Sequence, residues 1–321
     1  MTVRLTVPRA EWQAQVQATV MAYGHGLVPV VKGNGYGFGR PLLHDLVAGV
    51  GQQHVCVGTV HELHDVPLAL TPIVLTPALT PPSRADAVVT VDSAHHVAAL
   101  AGWRGSVVVK LASSMHRYGV TVAGLPELLA AVDGAGLRVH SFGLHLPLVG
   151  DDPGRLAEIE SWLPHLPVVD TPLWVSHLSA ASFAALQAAH PERPIAVRVG
   201  TGLWHGTPRA TFLRLTAEVL HTEPVRGGDT AGYFHSEVPF DGTLVAVGAG
   251  SAHGVAPLDH DDPARRSPLH FERHRLSLLE RPHMHTTMVV VPHGQPCPQV
   301  GDRVDVQRPL ITVTVDELEW T

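Results

Sequence analysis

Residues 28–39 read Val28-Pro29-Val30-Val31-Lys32-Gly33-Asn34-Gly35-Tyr36-Gly37-Phe38-Gly39. The apolar run Val28–Val31 reads as a short buried strand. It ends on a lysine and then alternating glycines. In an α/β barrel the carboxyl ends of the strands carry the chemistry, and Lys32 stands at such an end. Glycines at 33, 35, 37 and 39 permit φ above zero and let the backbone approach a ligand closely. Lys32 is then a Schiff-base former, a phosphate binder or a plain solvated cation. The loop is neither a Walker A loop nor a dinucleotide fingerprint, because no Lys-Ser/Thr pair closes it and no acidic residue follows at the right distance. Backbone N–H groups and the Tyr36 hydroxyl suit a phosphate. An amine nucleophile beside a phosphate cradle points to pyridoxal phosphate.

Outward from this stretch, short β-like runs recur at Val28–Val31, Val55–Gly58, Pro72–Leu75, Val88–Val91, Ser106–Lys110, Ser141–His145, Leu173–Ser176 and Ile195–Val199. Helical patterns lie between most of them, at Arg9–Tyr23, Leu42–Val50, Val60–Leu68, Ser93–Leu100, Leu125–Ala135, Gly154–Leu163 and Ala180–Ala189. Eight strands alternating with helices over about 200 residues predict a (β/α)8 barrel, with a doubly wound sheet as the competing arrangement. The texture changes near Gly206–Ala210. Alternating runs follow at Phe212–Leu220, Thr243–Val247, Met288–Val291, Arg303–Val306 and Leu310–Val315, separated by Gly and Pro turns. They predict a mostly β second domain. The expected division is a barrel over residues 8–207 and a β domain over 208–321, joined by an N-terminal strand from residues 1–7. Ala256–Ser267, rich in Asp, Pro and Arg, reads as an exposed loop.

Composition narrows the class. The chain has 321 residues, 45% of them hydrophobic, and a net charge of −7. It has the apolar content of a cored globular protein. No Lys/Arg run offers a nucleic-acid surface. Two cysteines, Cys56 and Cys297, are too few for a disulfide framework and read as reduced thiols. The start MTVRLTVPRAEWQAQ has no hydrophobic signal core. No apolar run reaches the roughly 18 residues of a spanning helix. The expectation is a soluble cytoplasmic protein that binds neither nucleic acid nor membrane. Among the twenty-three histidines, His283-Met284-His285 has a strand spacing that puts both rings on one face, but no third ligand is evident and no metal site is expected.

Val31–Gly39 resembles the lysine motif of the alanine racemases, fold-type III pyridoxal phosphate enzymes. The resemblance runs through nearly the whole chain. Val55-Cys56-Val57-Gly58-Thr59-Val60-His61-Glu62 looks like that family's second strand and helix. Val109-Lys110-Leu111 through Met115-His116-Arg117-Tyr118-Gly119 looks like its lysine and Met-x-Arg-x-Gly segment. Gly143-Leu144-His145, Ser176-His177-Leu178-Ser179-Ala180-Ala181 and Val197-Arg198-Val199-Gly200-Thr201-Gly202 are similar to its histidine, serine-phosphate and Arg-x-Gly elements. Gly228–Tyr233 matches the spacing to its tyrosine, and His283-Met284-His285 falls where it carries a methionine.

That resemblance implies roles. Lys32 would hold pyridoxal 5'-phosphate as an aldimine and serve as one base of a two-base proton transfer at Cα. Tyr233, contributed by the partner subunit of a homodimer with shared active sites, would be the other base. Tyr36, Ser179, Gly200 and Thr201 would hold the phosphate. Arg198 would face the pyridine nitrogen, supported by a hydrogen bond it donates to His145. Arg117 would reach the phenolic oxygen and the substrate carboxylate, to which Met284 would offer its backbone N–H. A free lysine and a free tyrosine, with pKa values of about 10.4 and about 10, are poor bases at neutral pH, so burial and nearby cations must lower both. Arginine keeps its proton. With Arg198 at the pyridine nitrogen the ring is not a full electron sink, which favours proton return over transamination.

Residue-level alternatives stay open. Ser179 suits a helix N-cap, a role compatible with anion binding at a helix start. Arg117 and Arg198 suit barrel-rim ion pairs, and His145 suits a satisfied core histidine. The sequence also departs from the family pattern. Lys110 matches a position that is often a carbamylated lysine, but Ala112-Ser113-Ser114 replaces the usual Asp-Thr-Gly. Gly248-Ala249-Gly250-Ser251-Ala252-His253-Gly254 stands where an entrance tyrosine is usual. The chain ends at Thr321, tens of residues before the family's usual end and its further tyrosine. A less constricted entrance and a substrate other than alanine follow as expectations. Three functions are compatible: an amino-acid racemase, another enzyme on the same scaffold such as a decarboxylase or an epimerase of a tailored amino acid, and a non-catalytic pyridoxal-phosphate-binding protein.

Overall fold

The computed structural model describes residues 2–167, 170–206, 212–258 and 266–321. Contacts divide the chain into two units: Ala14–Gly35 with Gly39–Thr207, and Met1–Gln13 with Tyr36–Phe38 and Pro208–Thr321. The passage near Gly206–Ala210, where the sequence changes texture, and part of the Ala256–Ser267 loop lie outside the described residues.

Strand β1 (Val3–Val7) belongs to the second unit. The first unit is a parallel barrel of β2 (Leu27–Pro29), β3 (His54–Val57), β4 (Thr71–Val74), β5 (Val88–Val91), β6 (Ser106–Leu111), β7 (Arg138–Leu144), β8 (Leu173–Ser176) and β9 (Ile195–Val199). The hydrogen-bonded order runs β2-β9-β8-β7-β6-β5-β4-β3. A parallel bridge between Val30 and Cys56, with the Val31 N–H donating to the Cys56 carbonyl at 2.8 Å, joins the two ends. This closure excludes the doubly wound alternative. The strands are apolar on both faces because the interior is filled and helices cover the outside. Val31, Ile73, Val91, Val109, Leu144 and Val175 are fully buried.

Helices α1 (Arg9–Tyr23), α2 (Arg40–Gly49), α3 (Ala94–Ala99), α4 (Leu125–Gly134), α5 (Asp152–Trp162) and α6 (Ala180–Ala189) alternate with the strands, and the short α7 (Thr201–Trp204) follows β9. Their starts carry readable signals. Asp151 caps α5 by accepting the Gly154 N–H, and Pro153 sits in the first turn. Val60–Leu68, expected as a helix, is instead 3-10 turns over Val60–Asp65. Glu62 explains this: its carboxylate folds back onto the Gly58 N–H at 2.7 Å, and Pro67 bars extension.

The second unit is a sheet domain. β10 (Arg214–Val225) pairs with β1 and with β13 (Gly242–Val247), after the hairpin β11 (Thr230–Ala231) and β12 (Ser236–Glu237). Strands β14 (Leu269–Phe271), β15 (His274–Arg275), β16 (Ser277–Leu278), β17 (Thr287–Pro292) and β18 (Arg303–Val306) extend the sheet, and β19 (Glu317–Trp320) runs parallel to β1. The expected run Leu310–Val315 is not a strand; Leu310–Thr312 is a 3-10 turn entered from Pro309, whose φ is −61°. Within this unit Gly37, at φ +92°, brings the loop after β2 against Leu310, where an added Cβ would lie 3.2 Å from the Leu310 Cβ. Phe38 packs on Trp12 with ring centroids 5.1 Å apart. Part of the glycine alternation therefore serves packing.

Candidate active site

The sequence contains two lysines, Lys32 and Lys110, and the barrel places both among the same charges. Every other fixed cation of the chain is arginine. Lys32 follows β2 at its carboxyl end, where the Trp204 Nε1–H donates to the Val30 carbonyl at 2.8 Å and pins the strand. Its side chain reaches solvent. Desolvation still lowers its pKa first, followed by repulsion from Arg117 and Arg198, against opposing attraction from Glu62. Glu62 bridges two loops, accepting the Gly33 N–H at 3.2 Å and the Gly58 N–H at 2.7 Å. Cys56 is fully buried, and burial pushes its thiol up to about 12, so it is neutral.

Arg198, near the end of β9, is buried. Its Nη2 donates to the Leu144 carbonyl at 2.6 Å and its Nε to the Val175 carbonyl at 3.3 Å. Two backbone carbonyls thus hold the guanidinium. His145 meets His177 edge-on, with ring centroids 4.9 Å apart. Burial and then Arg198 hold His145 down to about 2; burial and then Arg155 hold His177 down to about 4. Both imidazoles are neutral at pH 7. His177 adopts φ +61°, a left-handed backbone that a non-glycine residue seldom takes, at the end of β8. His177 stands within the serine-phosphate-like motif Ser176–Ala181.

Arg117 lies in an exposed turn with His116 and Tyr118 both at positive φ, and its guanidinium is 5.9 Å from the Tyr118 ring. The turn is tied down by the Gly119 N–H on Asp92 at 2.9 Å and by Ser114, whose N–H and hydroxyl donate to Glu158 at 2.7 and 2.8 Å. Asp92 and its partner His96, 2.7 Å apart, are further residues the sequence reading passed over.

Ser179 caps α6, its hydroxyl accepting the Ser182 N–H at 3.2 Å. The Ser179 N–H donates to Asp152 at 3.1 Å. Asp152, in turn, pairs with Arg155 at 3.2 Å. A carboxylate already stands at this helix start. Gly200 precedes the single turn of α7, and Thr201 is exposed. Tyr36 is buried at φ 58°. In the sheet unit Tyr233 and Met284 are 79% and 67% exposed. His283 and His285 do not lie on a strand, and their rings face different partners, Tyr233 and His253. Among the described residues no group of three or more His, Cys, Asp or Glu could hold a metal. No described helix is long and apolar enough to cross a membrane.

The family model described as the alanine racemase N-terminal domain matches residues 9–208. The chain belongs to the alanine racemase family. No curated protein matches it. Its fold is that of solved alanine racemases. One from Bartonella henselae, with covalently bound pyridoxal phosphate, is 17% identical over 100% of both chains with a TM-score of 0.73. One from E. faecalis is 18% identical over 99% of this chain and 98% of that one, with a TM-score of 0.71. Another, from Clostridium difficile, is 14% identical over 100% of this chain and 96% of that one, with a TM-score of 0.70.

The residues of this alanine racemase family member fit an anionic aldehyde cofactor. Arg117 and Arg198 act on the Lys32 amine and on the Lys110 amine, in a region whose acids include Glu62 and Asp92. A Cβ added at Gly33 or Gly39 would meet nothing within 4 Å. The start of α6 already binds an anion, the Asp152 carboxylate, as helix N-termini do.

Lys110, on β6, is buried, and burial, Arg198 and Arg117 lower its pKa to about 6. Between pH about 6 and the ordinary lysine value of about 10.4 the unfolded chain binds a proton that the folded chain does not, so stability rises with pH across that window. Lys110→Met should raise the melting temperature at pH 7, by an amount equivalent to about 2 kcal/mol, and flatten that rise. Thermal melts from pH 6 to 9 without added cofactor measure both. An unchanged slope would contradict a neutral buried amine.

Proposed function

We propose that the chain is a pyridoxal-phosphate-dependent amino-acid racemase that moves the Cα proton between two bases, Lys32 and Tyr233, and that works as a homodimer. The observation that carries this is Lys32: one of two lysines in the sequence, at the carboxyl end of the first barrel strand, with its basicity lowered by desolvation and by Arg117 and Arg198. The bound cofactor would supply conjugation that stabilises negative charge on the substrate's Cα. Lys32 would anchor it, with Tyr36, Ser179, Gly200 and Thr201 toward its phosphate and Arg198, supported by His145, toward its ring nitrogen.

The chain's own groups account for the rest. Arg198, held by the Leu144 and Val175 carbonyls, stays protonated at neutral pH and offers a hydrogen bond without giving up its proton. Arg117 and the Met284 backbone N–H orient the substrate carboxylate. The Lys32 amine takes or returns the proton on one face of Cα, and the Tyr233 hydroxyl does so on the other. A two-sided arrangement is what inversion needs, since a single base returns the proton to the face it left.

A second reading, a racemase or epimerase of an amino acid other than alanine, is favoured by Gly248–Gly254, which has no tyrosine at the expected entrance. A panel of amino acids incubated in deuterium oxide tests both. Deuterium at Cα with loss of optical purity is expected, and the best substrate separates the readings. Carbon dioxide release in place of exchange would mean a decarboxylase. No exchange with any amino acid would leave a binding protein.

A further inference from the structure

The hairpin that carries Tyr233 is exposed, yet it is fixed from below. The Tyr233 ring lies nearly parallel to the His283 ring, at 17° with centroids 4.1 Å apart. His283 Nε2 is hydrogen-bonded to Glu280, whose side chain is 4% exposed. The same carboxylate accepts the Tyr233 N–H at 2.8 Å, the Ser236 hydroxyl at 2.8 Å and the Phe234 N–H at 3.3 Å. Gly232, at φ +81°, lies so close to this carboxylate that a Cβ would collide with it. Burial raises the Glu280 pKa, but its donors, His283 first, outweigh that and hold it below the usual range. A charged, buried acid with every oxygen engaged is a rigid fitting. It shapes the turn that presents Tyr233 and locks the imidazole whose face meets the phenol.

An exposed tyrosine at a hairpin tip would otherwise sample several rotamers. Proton transfer needs a base fixed near its productive geometry, and small displacements are costly. We propose that His283, held by Glu280, is a positioning residue that fixes the Tyr233 ring by stacking. This rests on the reading of Tyr233 as a base. Neither ring nitrogen reaches Cα in this role; the ring face does the work, so an aromatic ring should substitute where another hydrogen-bonding side chain should not. His285, facing His253 at 5.6 Å, has no such part.

The test uses the full-length cofactor-loaded protein with each enantiomer of alanine and of serine in deuterium oxide. His283→Gln keeps a donor for Glu280 and loses the ring; His283→Phe keeps the ring and loses the donor. His283→Gln should lower exchange about tenfold from the one enantiomer whose exchange Tyr233→Phe abolishes, leaving KM and the opposite enantiomer within about twofold. His283→Phe should stay within about threefold of wild type. A second readout needs no cofactor. In protein with labelled tyrosine, four in the chain, the Tyr233 ring resonances, assigned through Tyr233→Phe, should lose their ring-current shift in His283→Gln and keep one in His283→Phe. If Tyr233→Phe is inactive in one direction while His283→Gln is fully active or equally impaired in both, the positioning role is wrong and the base assignment stands. If Phe proves as damaging as Gln, a ring at this position does not by itself hold the tyrosine, and if Phe alone is damaging the hydrogen bond and not the stack is what matters; either result also overturns it. If Tyr233→Phe exchanges both enantiomers normally, the base assignment fails and takes the positioning role with it.

Discussion

Lys32→Ala should lose both the covalently held cofactor and turnover, with the latter falling by about 10⁴-fold or more, since anchor and base disappear together. The fold should survive, because Lys32 is exposed at the end of its strand. The chain makes this test unusually clean. With Lys110 as the sole other lysine, borohydride reduction of the loaded protein can mark two side chains and the amino terminus. A pyridoxyl group is expected on the peptide containing Lys32. Lys110 is also poor in protons, and its amine, at about 6, is a better nucleophile at neutral pH than an ordinary lysine. Geometry, not basicity, must therefore select between them: Lys32 follows its strand into an open glycine loop, whereas Lys110 is 6% exposed within β6. Label on Lys110, or turnover retained by Lys32→Ala, would defeat the assignment.

Much of the barrel was legible because a parallel strand buried on both faces needs a continuous apolar run, and eight such runs stand in the sequence. What failed was local. Val60–Leu68 has helical composition, yet the Glu62 carboxylate is drawn to two N–H groups across the barrel mouth, and Pro67 ends the segment. Leu310–Val315 alternates like a strand, but Gly254 approaches the Thr312 carbonyl too closely for any other residue, and the chain turns there. The expectations for the site came from places that glycines or paired motifs marked. Asp92, Asp152 and Glu280 went unread because an acid that serves distant N–H groups leaves no periodic trace. His177 gave no warning of its positive φ. Arg198 was placed by its motif, while its carbonyl partners, Leu144 and Val175, belong to other strands and emerge with the closed barrel.

Mixing two inactive variants, Lys32→Ala and Tyr233→Phe, should restore activity after subunit exchange. Tyr233 is 79% exposed, and Phe234 and Met284 are 71% and 67% exposed. Large apolar side chains exposed on one unit are what a subunit contact would cover. Lys32 and Tyr233 also belong to different units of the chain. A C2 dimer in which each sheet unit completes the partner's barrel would cover these side chains twice and create two equivalent sites. In a heterodimer of the two variants, one site combines the intact Lys32 of one subunit with the intact Tyr233 of the other, and the second site lacks both. Random reassociation at equal concentrations makes half the dimers heterodimers, each with one good site of two, so recovery is bounded at about a quarter of wild-type activity for independent sites. Native mass spectrometry of differently tagged subunits would establish exchange, and cofactor absorbance would establish that Tyr233→Phe is loaded. With both in hand, absence of recovery would assign Tyr233 to its own chain's site or to none. Recovery near the bound would require the tyrosine to cross the interface, because a base acting within its own chain leaves every site in the mixture missing one partner.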